Sequence, residues 1–179
     1  MGSGSSLACD LTLNSVLSPE LSEKYQNTAV MRRALAETKT IAMVGLSRDR
    51  SKASHFVATY LDYAGYRVIP VNPTFDDWYG KKSYPDLLSI PEEVDLVDVF
   101  RRPSECPDLA RQAAQIGAKY FWMQLRVVSE EAAAIGDEAG MNVVMDRCIK
   151  MEHGRYNGSM HWVGMNTGII TAKRGRRWF

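Results

Sequence analysis

The sequence has few cysteines and no long hydrophobic run. Three of the 179 residues are cysteines (Cys9, Cys106 and Cys148), and their wide spacing includes no CxxC pair. An odd, scattered set of this kind argues against a disulfide-stapled domain and favours a reducing compartment. No stretch approaches the roughly 18 apolar residues that a membrane-spanning helix needs. Because residues 1–6 are rich in Gly and Ser and lack the pattern of a signal peptide, we expect a cytoplasmic protein that does not contact a membrane.

An excess of charge of either sign is also absent. The chain has 22 Lys and Arg against 21 Asp and Glu, a formal net charge of +1. A dedicated non-specific nucleic-acid binder is usually more basic, so we expect no nucleic-acid partner. Apolar residues make up 45% and charged residues 24%, which is ordinary for one soluble globular domain with tails. The function must therefore reside in a local site.

Short apolar runs alternate with segments of helical periodicity along most of the chain. The predicted strands are Thr40–Val44, Tyr66–Val71, a very short edge strand within Gly80–Tyr84, Leu96–Phe100, Tyr120–Met123 and Val143–Met145. The predicted helices begin at Ser54, Pro103 and Ser129 and end before Gly65, Gly117 and Gly140, respectively. This alternation indicates right-handed βαβ units. We therefore predict an α/β fold with a Rossmann-like, doubly wound, mainly parallel sheet of strand order 3-2-1-4-5-6, in which the third strand is vestigial.

The two ends of the chain depart from this alternation. We expect residues 1–17 to be a flexible N-terminal tail. A leading helical region, Ser18–Lys39, opens with Ser18 as a candidate N-cap and Pro19 at the first helical position. The predicted Rossmann-like domain with this leading helix spans residues 18–155, and residues 156–179 form a glycine-rich C-terminal extension with a basic end.

Two features fall where the predicted strand order reverses, which is where open α/β sheets bind ligands. Gly45-Leu46-Ser47 follows the first strand and leads, past Lys52 and Ser54, into a helix whose N-terminal N–H groups favour an anion. Arg101 and Arg102 follow the neighbouring strand. Each feature alone fits a tight turn or a solvated surface, but the two together indicate an anionic, nucleotide-like ligand.

Two common nucleotides are disfavoured by missing motifs. Only the first glycine of the NAD fingerprint G-x-G-x-x-G is present, and the second strand ends in Val71-Asn72-Pro73 instead of the acidic residue that binds ribose hydroxyls. The GK[ST] of a Walker A motif is absent as well. A ligand with more phosphate and a flexible arm remains compatible with the sequence.

Five further segments are informative as a set. They are I-A-M-V-G-L-S (Ile41–Ser47), V-I-P-V-N-P (Val68–Pro73), D-V-F-R-R-P (Asp98–Pro103), W-M-Q-L (Trp122–Leu125) and V-V-M-D-R-C-I-K-M-E-H (Val143–His153). In combination they resemble the stand-alone bacterial CoA-binding proteins, whose fold is similar to the N-terminal CoA-binding domain of the succinyl-CoA synthetase alpha subunit. The resemblance implies a Rossmann-like fold that binds coenzyme A (CoA).

The resemblance also implies which residues would bind CoA. They lie in the loop after the first strand, at the start of its helix, and at the ends of the next three central strands. In chain order they are Gly45, Leu46, Ser47, Lys52, Ala53, Ser54, Asn72, Pro73, Arg101, Arg102, Pro103, Trp122, Met123 and Gln124. Synthetase activity is not implied, because it needs a further domain with a phosphorylated histidine and a nucleotide-grasp partner.

Other groupings of reactive side chains give weaker evidence for a functional site. Five potential metal ligands match no familiar zinc spacing, so we expect no metal: Asp146, Cys148, Glu152, His153 and His161. Ser47, Asp49 and His55 contain the letters of a catalytic triad, but Ser47 lacks a G-x-S-x-G elbow, and we expect His55 to cap or pack against its helix. Two arginines precede Cys106, which makes a mixed disulfide with CoA conceivable, although a packed cysteine is favoured.

Three functions remain open on the sequence. The first is a protein that binds CoA or an acyl-CoA without catalysis, alone, as a homo-oligomer or in a larger complex. The second is an NAD(P)- or acyl-CoA-dependent enzyme that uses tail residues such as His153 or His161, and the third is an interaction module with a vestigial nucleotide pocket. Because no convincing set of nucleophile, base and oxyanion donors is present, the first is favoured.

Overall fold

The computed structural model describes residues 16–156. Within this range lie seven strands: β1 (Thr40–Val44), β2 (Arg67–Val71), β3 (Asp77–Trp78), β4 (Lys81–Lys82), β5 (Leu96–Val99), β6 (Tyr120–Met123) and β7 (Asn142–Val144). Five of them form a wholly parallel sheet in the order β2-β1-β5-β6-β7. The chain thus moves outward from β1 to β2 and then returns to the other side of β1, which places the reversal between β1 and β5.

The predicted fold class and strand order are confirmed. The predicted third strand is reduced to a single parallel bridge between Tyr84 and Val71 at the outer side of β2. Just before it, β3 and β4 form a separate antiparallel hairpin. The vestigial strand is short because Pro85 follows it immediately and cannot donate a ladder hydrogen bond.

Six α-helices flank the sheet within the described residues. They are α1 (Pro19–Tyr25), α2 (Thr28–Glu37), α3 (Ala53–Tyr63), α4 (Cys106–Gln115), α5 (Glu130–Glu138) and α6 (Ile149–Tyr156). The leading helical region is two helices and not one, because the side chain of Asn27 accepts hydrogen bonds from the backbone N–H groups of Ala29 and Val30 and starts a new helix. Sequence periodicity did not predict α6.

Alternate side chains of the strands enter two separate hydrophobic cores. On one face of the sheet, α2, α3 and α6 cover residues such as Ile41 and Trp122. On the other face, α1, α4 and α5 cover residues such as Val44 and Phe121. Both faces are therefore buried, as expected of a parallel sheet. Across residues 16–156, none of the helices has the length and apolar character that crossing a bilayer would require.

Candidate ligand-binding cleft

An open cleft of about 400 Å³ lies at the carboxyl ends of β5 and β6, beside the N-terminus of α3. Its lining comes from four parts of the chain: Ala53 and Val57 of α3, the segment from Phe100 to Pro103, the segment from Gln124 to Val127, and Cys148. The cleft occupies the reversal point of the sheet, which is the standard ligand position in open α/β folds.

Gly45 brings the loop after β1 against the segment after β5. Its φ angle is +83°, and its N–H donates to the carbonyl of Val71. A Cβ atom at this position would lie 2.5 Å from the carbonyl oxygen of Phe100 and 2.8 Å from Cδ of Arg101. Only glycine allows both the left-handed backbone and this close approach without strain.

The loop between β1 and α3 is held by its own polar side chains. The Ser47 N–H donates to Oγ of Ser54 (3.1 Å), and the Ser47 carbonyl contacts Nδ1 of His55 (3.0 Å). From the end of β2, Nδ2 of Asn72 donates to the carbonyl of Leu46 (2.8 Å). The buried His55 also lies 3.3 Å from the hydroxyl of Tyr79 through Nε2, so it packs as expected. These groups shape the loop and are engaged within the protein.

The two helices that begin at the cleft lack side-chain caps, unlike three other helices of the structure. Ser18, Asn27 and Ser129 cap α1, α2 and α5 through side-chain oxygen atoms. Lys52 and Glu105 precede α3 and α4 without such a bond. Uncapped N–H groups carry partial positive charge, so the start of α3 favours an anion at the mouth of the cleft. Before α4, the N–H groups of Glu105 and Cys106 are instead engaged in a 3₁₀ turn, where they donate to the carbonyls of Arg102 and Pro103.

Three arginines border the cleft, and one glutamate restrains two of them. Glu105 accepts hydrogen bonds from Nε of Arg101 (2.8 Å) and from Nε of Arg102 (2.9 Å). The Arg102 hydrogen bond, with Arg101, lowers the pKa of Glu105 against the opposing effect of partial burial. The third arginine, Arg126, has an exposed side chain and a φ of +62°, and its backbone N–H donates to Oδ1 of Asp146 (2.7 Å). The local charge is positive despite the glutamate.

A buried carboxyl group lies beneath the cleft. Asp98 of β5 is fully buried, and its Oδ1 accepts a hydrogen bond of 2.7 Å from Nε2 of Gln124, which lines the cleft. Its Oδ2 has no hydrogen-bond partner among the described residues. Burial raises the pKa of Asp98 to about 7, and hydrogen bonds from Gln124 and from the backbone N–H of Val99 oppose this rise.

The two cysteines within the described residues occupy different environments. Cys106 is buried in the core, where its thiol donates to the carbonyl of Arg102 (3.5 Å), and burial with the charge of Glu105 raises its pKa to about 11. Cys148 is half-buried and lines the cleft. Burial raises the pKa of Cys148, while the N–H groups of Met151 and Lys150 oppose the rise. The sequence analysis considered Cys106 as the cysteine near the ligand, but the cysteine that lines the cleft is Cys148.

The structure divides the sequence-predicted site residues into three groups. Five line the cleft: Ala53, Arg101, Arg102, Pro103 and Gln124. Seven lie in or beside the supporting loops outside the cleft lining: Gly45, Leu46, Ser47, Lys52, Ser54, Asn72 and Pro73. Trp122 and Met123 are wholly buried, one in each core, and their side chains do not reach the cleft.

Six lining residues were not predicted: Val57, Phe100, Leu125, Arg126, Val127 and Cys148. Helical spacing offered a signal for Val57, which lies one turn after Ala53 on the same face of α3. The position of Cys148 depends on α6, which the sequence pattern did not indicate. Among residues 16–156, no group of three His, Cys, Asp or Glu side chains is arranged to hold a metal ion, and His161 lies outside them.

A doubly wound parallel sheet with a cationic cleft at its reversal point defines a Rossmann-like ligand-binding domain. Residues 39–154 match the family described as "CoA binding domain". The uncharacterized protein YneT of Bacillus subtilis is 41% identical over 125 residues, which cover 70% of this chain and 93% of that protein. A hypothetical protein from Pyrococcus horikoshii OT3 has a solved structure that superposes with a TM-score of 0.71 at 37% identity, covering 73% of this chain and 92% of that one.

A longer relative carries CoA in its name. The ADP-forming acetate–CoA ligase II of Archaeoglobus fulgidus is 30% identical over 99 residues, which cover 54% of this chain and 15% of the ligase. The family match covers well over half of the present chain. The chain therefore belongs to the family of CoA-binding domains.

Proposed function

We propose that the protein binds CoA or an acyl-CoA in this cleft and performs no chemistry of its own on ATP. The observation that supports this most directly is the combination of three arginines and an apolar wall in one cleft at the reversal point of the sheet. Among anionic ligands, membership of the CoA-binding family favours CoA.

The cleft suits a ligand that is anionic at one end and uncharged at the other. CoA has a pyrophosphate and a 3′-phosphate on its nucleotide half, which Arg101, Arg102 and Arg126 can meet with charged hydrogen bonds. Its pantetheine arm is uncharged and extended. The side chains of Val57, Phe100 and Leu125 provide an apolar surface of the same character.

The end of β2 argues against NAD as the ligand. Asn72 occupies the position where an NAD site has an acidic residue, and its amide is engaged: Nδ2 donates to Leu46, and Oδ1 accepts from Thr74. An amide held in this way offers the ribose hydroxyls no carboxylate. The same contact ties two loops together, which gives Asn72 a structural role.

We expect titration calorimetry at low salt to detect CoA binding and to find much weaker binding of NAD. Replacing Arg101 and Arg102 together by alanine removes charged hydrogen bonds that contribute about 1.5–3 kcal/mol each when fully formed. Because the side chain of Arg101 is 42% exposed and that of Arg102 is 82% exposed, solvent screening reduces this contribution. The Kd for CoA is therefore expected to rise by about 10- to 100-fold.

A matched control removes the same charge elsewhere. Arg111 and Lys119 are exposed and lie outside the cleft, so replacing both by alanine also removes two positive charges. This control is expected to change the Kd by less than about threefold, through long-range electrostatics alone. Tighter binding of NAD than of CoA, or equal losses in the two double variants, would contradict the proposal.

The proposed lack of catalysis has its own test. Purified protein mixed with CoA, acetate, ATP or GTP, and magnesium is expected to form no acetyl-CoA above a protein-free blank. His55 is the histidine next to the cleft helix, and both ring nitrogens already have partners in Ser47 and Tyr79, which leaves it unsuited to carry phosphate. Turnover that survives repurification and disappears in His55→Ala would show that the protein is an enzyme.

A further inference from the structure

Cys148 is a nucleophilic side chain that the proposed binding role does not use. It lies immediately before α6 and lines the same cleft as Val57 and the arginines. The N–H groups of Lys150 and Met151, in the first turn of α6, interact with its sulfur and favour the thiolate. Cys106, by contrast, is buried and bonded to a carbonyl oxygen.

A second observation at this place points to a missing ligand group. Oδ2 of Asp98 is buried and unpartnered among the described residues, although buried carboxyl oxygens are normally hydrogen-bonded. The Asp98 carboxyl interacts electrostatically with Cys148, and its other oxygen is bonded to Gln124, which lines the cleft. The unpaired oxygen therefore belongs to a carboxyl that is hydrogen-bonded to the cleft lining through Gln124 and that interacts with the thiol of Cys148.

We propose that Cys148 forms a mixed disulfide with the thiol end of CoA by exchange with CoA disulfide. This inference rests on the proposed function, since it requires CoA to occupy the cleft. The Cys148 thiolate attacks one sulfur of CoA–S–S–CoA, the old disulfide breaks, and one CoA leaves as a thiolate that takes up the proton lost by Cys148. The products are protein–S–S–CoA and one CoA thiol, so the exchange needs no other oxidant.

The arrangement of charged and apolar residues in the cleft orients the ligand for this exchange. The arginines hold the phosphates of the nucleotide half, and the thiol is at the far end of the uncharged arm. Because burial raises the pKa of Cys148, little thiolate exists at neutral pH, and unbound disulfides react slowly. Binding raises the local concentration of the CoA disulfide at the sulfur, so selectivity comes from recognition of CoA and not from a generally reactive thiol.

The experiment compares two disulfides on the full-length protein. The protein is incubated with CoA disulfide or with an equal concentration of glutathione disulfide, and adducts are followed by intact mass and assigned by peptide mapping. We expect one CoA per chain, located on Cys148 and removed by dithiothreitol. The rate with CoA disulfide is expected to be at least about tenfold higher than with glutathione disulfide, to saturate with concentration, and to fall when acetyl-CoA occupies the cleft.

Two variants locate the reaction. Cys148→Ser is expected to form no CoA adduct, and Cys106→Ser is expected to react at the rate of the unaltered protein. An adduct on Cys9 or Cys106, or equal rates with the two disulfides, would overturn the inference. Calorimetry with acetyl-CoA, which has no free thiol, separates this failure from that of the proposed function: binding without an adduct refutes only the disulfide, and absent binding refutes both.

Discussion

Replacing Asp98 by asparagine is expected to stabilise the protein at pH 8 and to leave its stability nearly unchanged at pH 4. The pKa of this buried carboxyl is raised to about 7, against 3.8 for an ordinary aspartate. Between these values the unfolded chain releases the proton while the folded chain retains it, so the free energy of unfolding falls as pH rises. The difference corresponds to at most about 4 kcal/mol, all of it present above pH 7. Asparagine keeps the acceptor for Gln124 and carries no charge.

Urea unfolding of both proteins from pH 4 to pH 8 measures this effect. Asp95→Asn is a control of opposite sign, because burial of Asp95 is outweighed by hydrogen bonds from the N–H groups of Lys39 and Thr40, and its pKa is lowered. That variant is expected to lose stability at neutral pH and to recover it relative to the unaltered protein in acid. A pH-independent difference for Asp98→Asn would mean that the carboxyl is solvated.

Gly45→Ala is expected to destabilise the protein by about 2–4 kcal/mol and to weaken CoA binding as well. A non-glycine residue at a φ of +83° is itself strained by about 1–2 kcal/mol. The added Cβ would also lie 2.5 Å from the Phe100 carbonyl oxygen, which belongs to the backbone and cannot rotate away. The segment that holds Arg101 must then move, and the cleft changes shape with it.

The variant Gly80→Ala separates the cost of backbone strain from the cost of a steric clash. Gly80 has a φ of +78°, close to that of Gly45, but a Cβ there meets no atom within 4 Å. Urea unfolding is expected to show the smaller, strain-only loss for Gly80→Ala, and its Kd for CoA is expected to stay the same. Equal losses of stability in the two variants would show that the contact with Phe100 has no energetic cost.

The fold was accessible to sequence reasoning because local signals agreed with one another. Short apolar runs predicted the buried strands, and glycines with positive φ follow three of the helices, at Gly65, Gly117 and Gly140. The prediction of one leading helical region was wrong in detail, because an asparagine such as Asn27 is compatible with both a helix interior and a helix cap. The cap at Asn27 and the contacts of the neighbouring Gln26 with the Met145 and Asp146 carbonyls fix the break there, and the sequence does not show the latter.

The candidate site was less accessible because it depends on contacts between distant residues. Arg101 and Arg102 were visible as a pair, but their restraint by Glu105 depends on side-chain contacts made across the 3₁₀ turn Pro103–Glu105, which periodicity does not specify. Trp122 and Met123 end a strand, as predicted, yet both side chains alternate into the cores. Cys148 reaches the cleft because α6 packs beside α3, a contact between segments about ninety residues apart.

The hydrogen bonds within the loop from Gly45 to Ser54 have a consequence for the thermodynamics of ligand capture. Ordering a free loop on association would cost conformational entropy, which subtracts from the observed affinity. Here Asn72 and Ser54 fix the loop during folding, before any ligand arrives. The entropic cost of ordering this loop is therefore carried by the stability of the fold and is not subtracted from the affinity for a ligand.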